Sequence, residues 1–211
     1  MSVVDDYLRC AVVVRDQLAS PELQRMWDAP SALREWTVGG LAGHVARSVF
    51  LLPGILAAQV SEDDALVSAV DYFVSALSEA DLDVGSPKAL AIRERGMESA
   101  GSDVEDLLAR YDAVVADLEI VLRGLPEDHV VAALGMRLAL REYLITRLVE
   151  MTVHADDLAV SVSASPPRFP LEVEETVVRT LACIALRRRG FTALARGLAR
   201  SERSPGPISA F

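Results

Sequence analysis

From about Arg141 to Val162 the chain reads as one helix that is apolar nearly all round. Such a helix has no face to give to water, so it belongs at the centre of a helical assembly. Two polar side chains interrupt it. Glu150 stands among Leu148, Val149, Met151 and Val153, and His154 follows it by four residues. That spacing puts both side chains on one face, a turn apart. A lone carboxylate in such surroundings is costly to bury, so Glu150 needs a partner. Two helical residues at this spacing can grip one metal ion. Two simpler partnerships stay open: an ion pair with His154, or one with Arg147 on a neighbouring face.

The remaining segments supply helices to surround this one. Residues 2–19 carry Val3, Val4, Tyr7, Leu8, Ala11, Val12 and Val14 at helical spacing. Ser20-Pro21 looks like an N-cap with Pro at the first helical position, opening a short piece through Met26. Asp28–Trp36 reads as a loop, and Thr37 caps a helix over roughly 38–60. Leu41, His44, Val45, Ser48, Val49 and Leu52 share one stripe of it. Gly39, Gly40 and Gly43 lower helix propensity there, which makes sense if another backbone packs very close. A third amphipathic piece covers 64–80, and a fourth 87–100. Ser102 is expected to cap a helix over 103–123, stopped by Gly124 and Pro126. Residues 129–139 suit a short strand or an extended loop. After the proline-rich break at 163–170 come one or two helices over 171–189 and 191–200, then an extended tail. There is no internal repeat and no strand period, and about four long helices is the arithmetic of a bundle. Only 5% of residues are aromatic, which also suits close-packed helices.

The formal charge of −10 argues against nucleic acid, which selects a basic surface. Residues 171–211 hold seven Arg and four Glu, or +3, leaving −13 for the first 170. The Arg187–Arg189 run lies where cations complement a helix C-terminus. Neither it nor His129 receives a specific role. Cys10 and Cys183 make no disulfide framework and no signal peptide is visible, which points to the cytoplasm. No membrane span is expected: the longest apolar stretch, Val45–Val60, is interrupted by Arg47, Ser48, Pro53 and Gln59, short of the ~18 residues required. Lys88 is the single lysine against 20 Arg, as a GC-rich genome gives.

Two segments resemble known signatures. Trp36-Thr-Val-Gly-Gly-Leu-Ala-Gly-His44 is similar to the "W-T-V-x-x-L-x-x-H" signature of the mycothiol-dependent maleylpyruvate isomerase N-terminal domain family, of the DinB-like superfamily. Tyr143–Leu158 is similar to that family's "R-x-x-E-x-x-x-H-x-x-D-L", matched by Arg147, Glu150, His154, Asp157 and Leu158. Asp28-Ala-Pro-Ser31 resembles the approach to the first signature. The resemblance covers roughly residues 1–162. It implies an all-α fold, a DinB-like four-helix bundle over 1–162, with 163–211 as a helical extension packed on it and ending in the tail.

The resemblance also implies that His44, Glu150 and His154 bind a divalent metal. Zinc is the first expectation and nickel the second, since imidazole and carboxylate suit several ions. Two His and one carboxylate leave positions open, as catalytic rather than structural zinc sites do. The implied cosubstrate is mycothiol, which belongs to GC-rich Gram-positive bacteria. A metal-held thiol is a thiolate, the attacking species. The expected partners are therefore a small thiol and a small electrophile. No nucleic acid or membrane is expected, and bundles of this kind often pair as homodimers. Asp157 either orients the His154 ring or a metal-bound water, or is an ordinary surface carboxylate. Arg47 either clamps an anionic group or snorkels to solvent. Arg147 does the same or pairs with Glu150. The isomerase itself carries a second, α/β domain, whereas the residues after the proline-rich break read as helices. That favours a general thiol transferase over maleylpyruvate isomerisation. The alternative is a bundle that binds a metal or small ligand without turnover.

Overall fold

The helices begin where short polar side chains can accept the first free backbone N–H groups. In the computed structural model, which describes residues 2–60, 65–76, 83–204 and 206–210, Ser2, Ser20, Thr37, Ser86 and Asp103 each do this. They open α1 (Val3–Leu18), α2 (Pro21–Arg25), α3 (Val38–Phe50), α6 (Pro87–Ala100) and α7 (Val104–Arg123). The cap of α7 is Asp103 and not Ser102. The Asp103 carboxylate accepts from the Asp106 N–H at 2.9 Å, and the Ser102 hydroxyl donates to that same carboxylate instead.

The expected helix over 38–60 is two helices, α3 and α4 (Leu52–Ala57), broken at Leu51. Pro53 has no N–H to continue the ladder. Taken end to end, Val38–Ala57 is long and apolar enough to cross a membrane by length and composition. On length alone this corrects the sequence expectation, because the glycine- and alanine-rich start of α3 extends the apolar run upstream of Val45. In the fold, half of this span is buried inside the protein, as befits the core helix of a bundle. Of the expected third piece, α5 (Ala69–Ala76) is described, while residues 64 and 77–80 lie outside the described residues.

Residues 129–139 form a hairpin of β1 (Val130–Ala133) and β2 (Met136–Ala139), with Val131 opposite Leu138. Leu134 and Gly135 turn the chain with φ of 51° and 76°. Two positive φ values in a two-residue loop are the type I′ arrangement. The hairpin leads directly into α8 (Leu140–Ser161), followed by α9 (Leu171–Arg189) and α10 (Phe191–Ala199).

Helices α1, α3, α7 and α8 pack around one core, with α6 laid against α3. Tyr7, Val14, Leu41, Val45, Leu107, Tyr111, Leu144, Leu148, Met151 and Leu158 are fully buried there. The two buried phenols are satisfied by main chain: Tyr7 donates to the Ser48 carbonyl and Tyr111 to the Ala11 carbonyl, both at 3.1 Å. Helix α8 is central, as its all-round apolar sequence requires, and α9 covers it together with α5. The architecture is an all-α bundle with extra C-terminal helices.

Of the three early glycines, Gly43 meets the close backbone expected for them, whereas a Cβ on Gly39 or Gly40 would meet side chains, those of Trp27 or of Thr37 and Met97. A Cβ on Gly43 would collide with the Gly96 carbonyl oxygen and the Ala100 backbone nitrogen. Helix α6 therefore lies backbone to backbone on the first turns of α3, which fixes the helix that carries His44.

Candidate metal centre

Helix α3 brings His44, and one face of α8 brings Glu150 and His154, to a common point. The His154 Nε2 lies 3.4 Å from Glu150 Oε2, and the His44 Nε2 lies 3.7 Å from the same oxygen. The imidazole rings are 4.8 Å apart, edge to face. One donor atom from each residue lies within 4.8 Å of the other two, and among the described residues no other His, Cys, Asp or Glu cluster is so placed. The side chains keep 16%, 24% and 21% of their surface open, so a solute can reach them. Tetrahedral ligands at about 2.1 Å from an ion sit about 3.4 Å apart, which is close to these separations. Two imidazole nitrogens and one carboxylate oxygen are a donor set that a zinc-like ion accepts.

The two histidines are supported differently. His154 Nδ1 lies 2.9 Å from Asp157 Oδ2. The ring therefore donates from Nδ1 and turns Nε2 toward Glu150. This contact is the one expected of a carboxylate that orients the His154 ring. His44 Nδ1 is buried and has no hydrogen-bond partner among the described residues. Its ring rests instead against the Trp36 indole, with centroids 5.2 Å apart and planes at 60°.

The electrostatics follow from these contacts. Burial alone would raise the Glu150 carboxyl; the His154 and His44 rings and the Arg147 guanidinium outweigh it and hold the group well below its ordinary range. Burial alone would lower His154, but its hydrogen bonds to Asp157 and Glu150 push it up to about 9. At His44 burial prevails over the pull of Glu150, and the ring is held below the ordinary imidazole value. Glu150 is thus ionised and His44 neutral, the forms that ligate. His154 has to release a proton to do the same.

The two arginines differ in burial and in contacts. Arg147 is only 6% exposed, so it does not snorkel. Its Nε donates to the Thr146 hydroxyl at 3.1 Å and its guanidinium lies 5.0 Å over the Tyr143 ring. Among the described residues it makes no ion pair within 4 Å, with Glu150 or any other carboxylate, and acts on Glu150 through the field of its charge. Burial of that charge is offset by the nearby Tyr143, Glu150 and Tyr72. Arg47 is half-buried and donates to the Ser99 hydroxyl on α6 at 3.3 Å. Sequence reasoning assigned no part to Trp36, Ser99 or Tyr72. Trp36 alone left a signal, as the first residue of the signature that ends at His44.

The family described as mycothiol maleylpyruvate isomerase N-terminal domain matches residues 8–159. The crystal structure of the mycothiol-dependent maleylpyruvate isomerase superposes with a TM-score of 0.51 and 22% identity, over 85% of this chain and 68% of that one. A mutant of that enzyme gives a TM-score of 0.49 and 21% identity over the same shares. The former likeness is one of fold, a helical bundle. No curated protein matches the chain. The family match takes in most of the chain and both signature segments, and the chain belongs to the mycothiol maleylpyruvate isomerase N-terminal domain family.

Proposed function

We propose that this protein is a divalent-metal-dependent enzyme of the mycothiol-dependent, isomerase-like kind, transferring a small thiol to a small electrophile. His44, Glu150 and His154 are the metal's protein ligands in this reading. The observation that carries it is the convergence of three ligand atoms from two helices within 4.8 Å. Membership of the family supports mycothiol as the thiol, and zinc or nickel suits the donor set.

A bound divalent ion supplies one thing here: it lowers the pKa of a coordinating thiol so that the thiolate prevails at neutral pH. The chain's own residues do the rest. Asp157 holds the Nδ1–H of His154 and so presents Nε2. Arg147 adds to the larger effect of the His154 and His44 rings in holding the Glu150 carboxyl low, without competing for its oxygens. The open fraction of the three side chains makes the centre reachable from solvent. We also assign residues 1–162 as the working unit, with 163–211 packed on it. A reducing, cytoplasmic compartment suits free Cys10 and Cys183.

The test is elemental analysis of protein purified without chelator or His-tag, followed by assay with mycothiol and monobromobimane. About one equivalent of metal, and activity lost in His44→Ala, are expected. Bound metal without turnover on mycothiol, bacillithiol or glutathione would replace the enzyme reading by the binding-only one. Full metal content in His154→Ala would overturn the ligand set.

A further inference from the structure

Of the two histidines at the centre, one is fixed by a hydrogen bond and the other is not. His154 cannot rotate without breaking its bond to Asp157. His44 has no such tether among the described residues, where its buried Nδ1 meets no hydrogen-bond partner. The group on its flank is the Trp36 indole, 5.2 Å away.

Trp36 is held more firmly than a loop residue needs to be. Its carbonyl accepts from the Ser31 N–H at 2.8 Å, and its own N–H donates to the Leu33 carbonyl at 3.1 Å. Glu35, just before it, takes φ 69°, a left-handed conformation that a residue with a Cβ adopts at a cost. The same loop is tied to α8, since the Ala32 N–H donates to the Ser161 hydroxyl at 2.8 Å. The indole also meets α6 at a position that only glycine fits: a Cβ on Gly96 would lie 2.6 Å from Trp36 Cζ3. The ring therefore packs against both α6 and His44, on a loop anchored to the helix that carries Glu150 and His154.

We propose that Trp36 is a positioning residue of the metal centre: its indole, in place of a hydrogen bond, sets the His44 ring so that Nε2 faces Glu150 and His154. The inference rests on the proposed centre for its consequence in metal binding, but the ring orientation itself stands apart from it. An untethered imidazole samples more rotamers, and a wall of fixed aromatic surface restricts it as an outer-shell hydrogen bond would. The wall has to be flat and aromatic, so Phe replaces Trp better than Leu does.

The experiment uses the full chain. Zinc affinity is measured by chelator competition and the centre's geometry by the visible spectrum of the cobalt-loaded protein. The His44 ring protons are followed by NMR with and without zinc. In Trp36→Ala, zinc affinity is expected to fall about 10–100-fold, the range for loss of an outer-shell partner. The cobalt bands shift, and the ring-current displacement of the His44 protons disappears. Trp36→Phe recovers most of the affinity. Trp36→Leu, which fills the space without a π face and covers the case of an alanine variant that does not fold, does not. Leu118→Ala, a core truncation on α7, lowers stability and leaves zinc affinity and the cobalt spectrum alone. Wild-type zinc affinity in Trp36→Leu, or equal losses in Trp36→Leu and Leu118→Ala, overturns the proposal. Should the wild type bind neither ion, the metal centre falls as a reading. The orientation of the His44 ring then still decides the matter, read from nuclear Overhauser contacts of its ring protons with α8, and an unchanged contact pattern in Trp36→Leu overturns the positioning role.

Discussion

The Nδ1 of His154 and the Oδ2 of Asp157 lie 2.9 Å apart on consecutive turns of α8. This contact does two things at once: it selects the tautomer and it raises the ring's basicity. Asp157→Asn keeps the shape and loses the charge. We expect a zinc affinity about 10–100-fold weaker, the usual cost of an outer-shell partner. The His154 pKa should also fall from about 9. Chelator competition and NMR titration of the ring read the two effects. Unchanged values for both would remove Asp157 from the centre.

The raised His154 makes stability and ligation depend on pH in opposite directions. Its folded value of about 9 lies above the unfolded value near 6.5. The folded state therefore holds the proton more tightly. This contribution is fully present below about pH 6.5 and is lost as pH rises through about 9. In the presence of EDTA the thermal midpoint should drop between pH 7 and pH 9.5, and His154→Gln should remove most of that slope. Ligation runs the other way, because His154 has to give up its proton. Below about pH 9 zinc binding should release one proton from this residue, read by calorimetry in buffers of different ionisation enthalpy.

How far the sequence reveals these features depends on the range of the interaction. Glu150 and His154 are four residues apart on one helix, so their pairing is written in the periodicity of α8. His44 joins them only through the packing of α3 on α8, which no local spacing encodes; the signature match supplied that vertex. Helix starts were legible where a Ser or Thr stands alone before an apolar stripe. They were less so where Ser102 and Asp103 compete for one cap. The hairpin was ambiguous because strands of four residues show no period, and its turn places Leu134 at φ 51°, where turn signals lead one to expect Gly or Asn. The fate of Arg147 was hidden for another reason. On a helix buried nearly all round, no face remains for a long cation to reach water, and its stacking on Tyr143 is an i,i+4 contact that the charge alone does not announce.

The backbone contact between α3 and α6 gives a stability prediction apart from any ligand. Gly43→Ala forces a methyl group against the Gly96 carbonyl and the Ala100 backbone, atoms that no rotamer change can move aside. Overpacking of this kind costs about 1–3 kcal/mol. Chemical denaturation should show a loss in that range. Gly54→Ala, at a helix position with open space around the added Cβ, should be neutral or slightly stabilising. A tolerated Gly43→Ala would mean that α6 does not pack as described.

Arg147 separates two kinds of contribution from a buried charge. It is buried and stacked on Tyr143 but makes no ion pair within 4 Å among the described residues, so its removal leaves no close carboxylate partner stranded. Arg147→Met keeps the length and apolar bulk. Replacing buried charge by well-packed apolar side chains is often close to neutral for stability. The field at Glu150 changes nonetheless. Without the guanidinium, burial raises the carboxyl further against the two histidine contacts, and its pKa climbs toward the ordinary range. A carboxylate with a higher pKa surrenders its metal at higher pH. Zinc release from Arg147→Met, followed with a chromogenic chelator on lowering the pH, should have its midpoint above that of the wild type, while folding persists by circular dichroism. Arg147→Lys should not restore wild-type behaviour fully, because an ammonium lacks the planar surface that stacks on Tyr143. A midpoint that stays put in Arg147→Met would show that the cation serves packing alone.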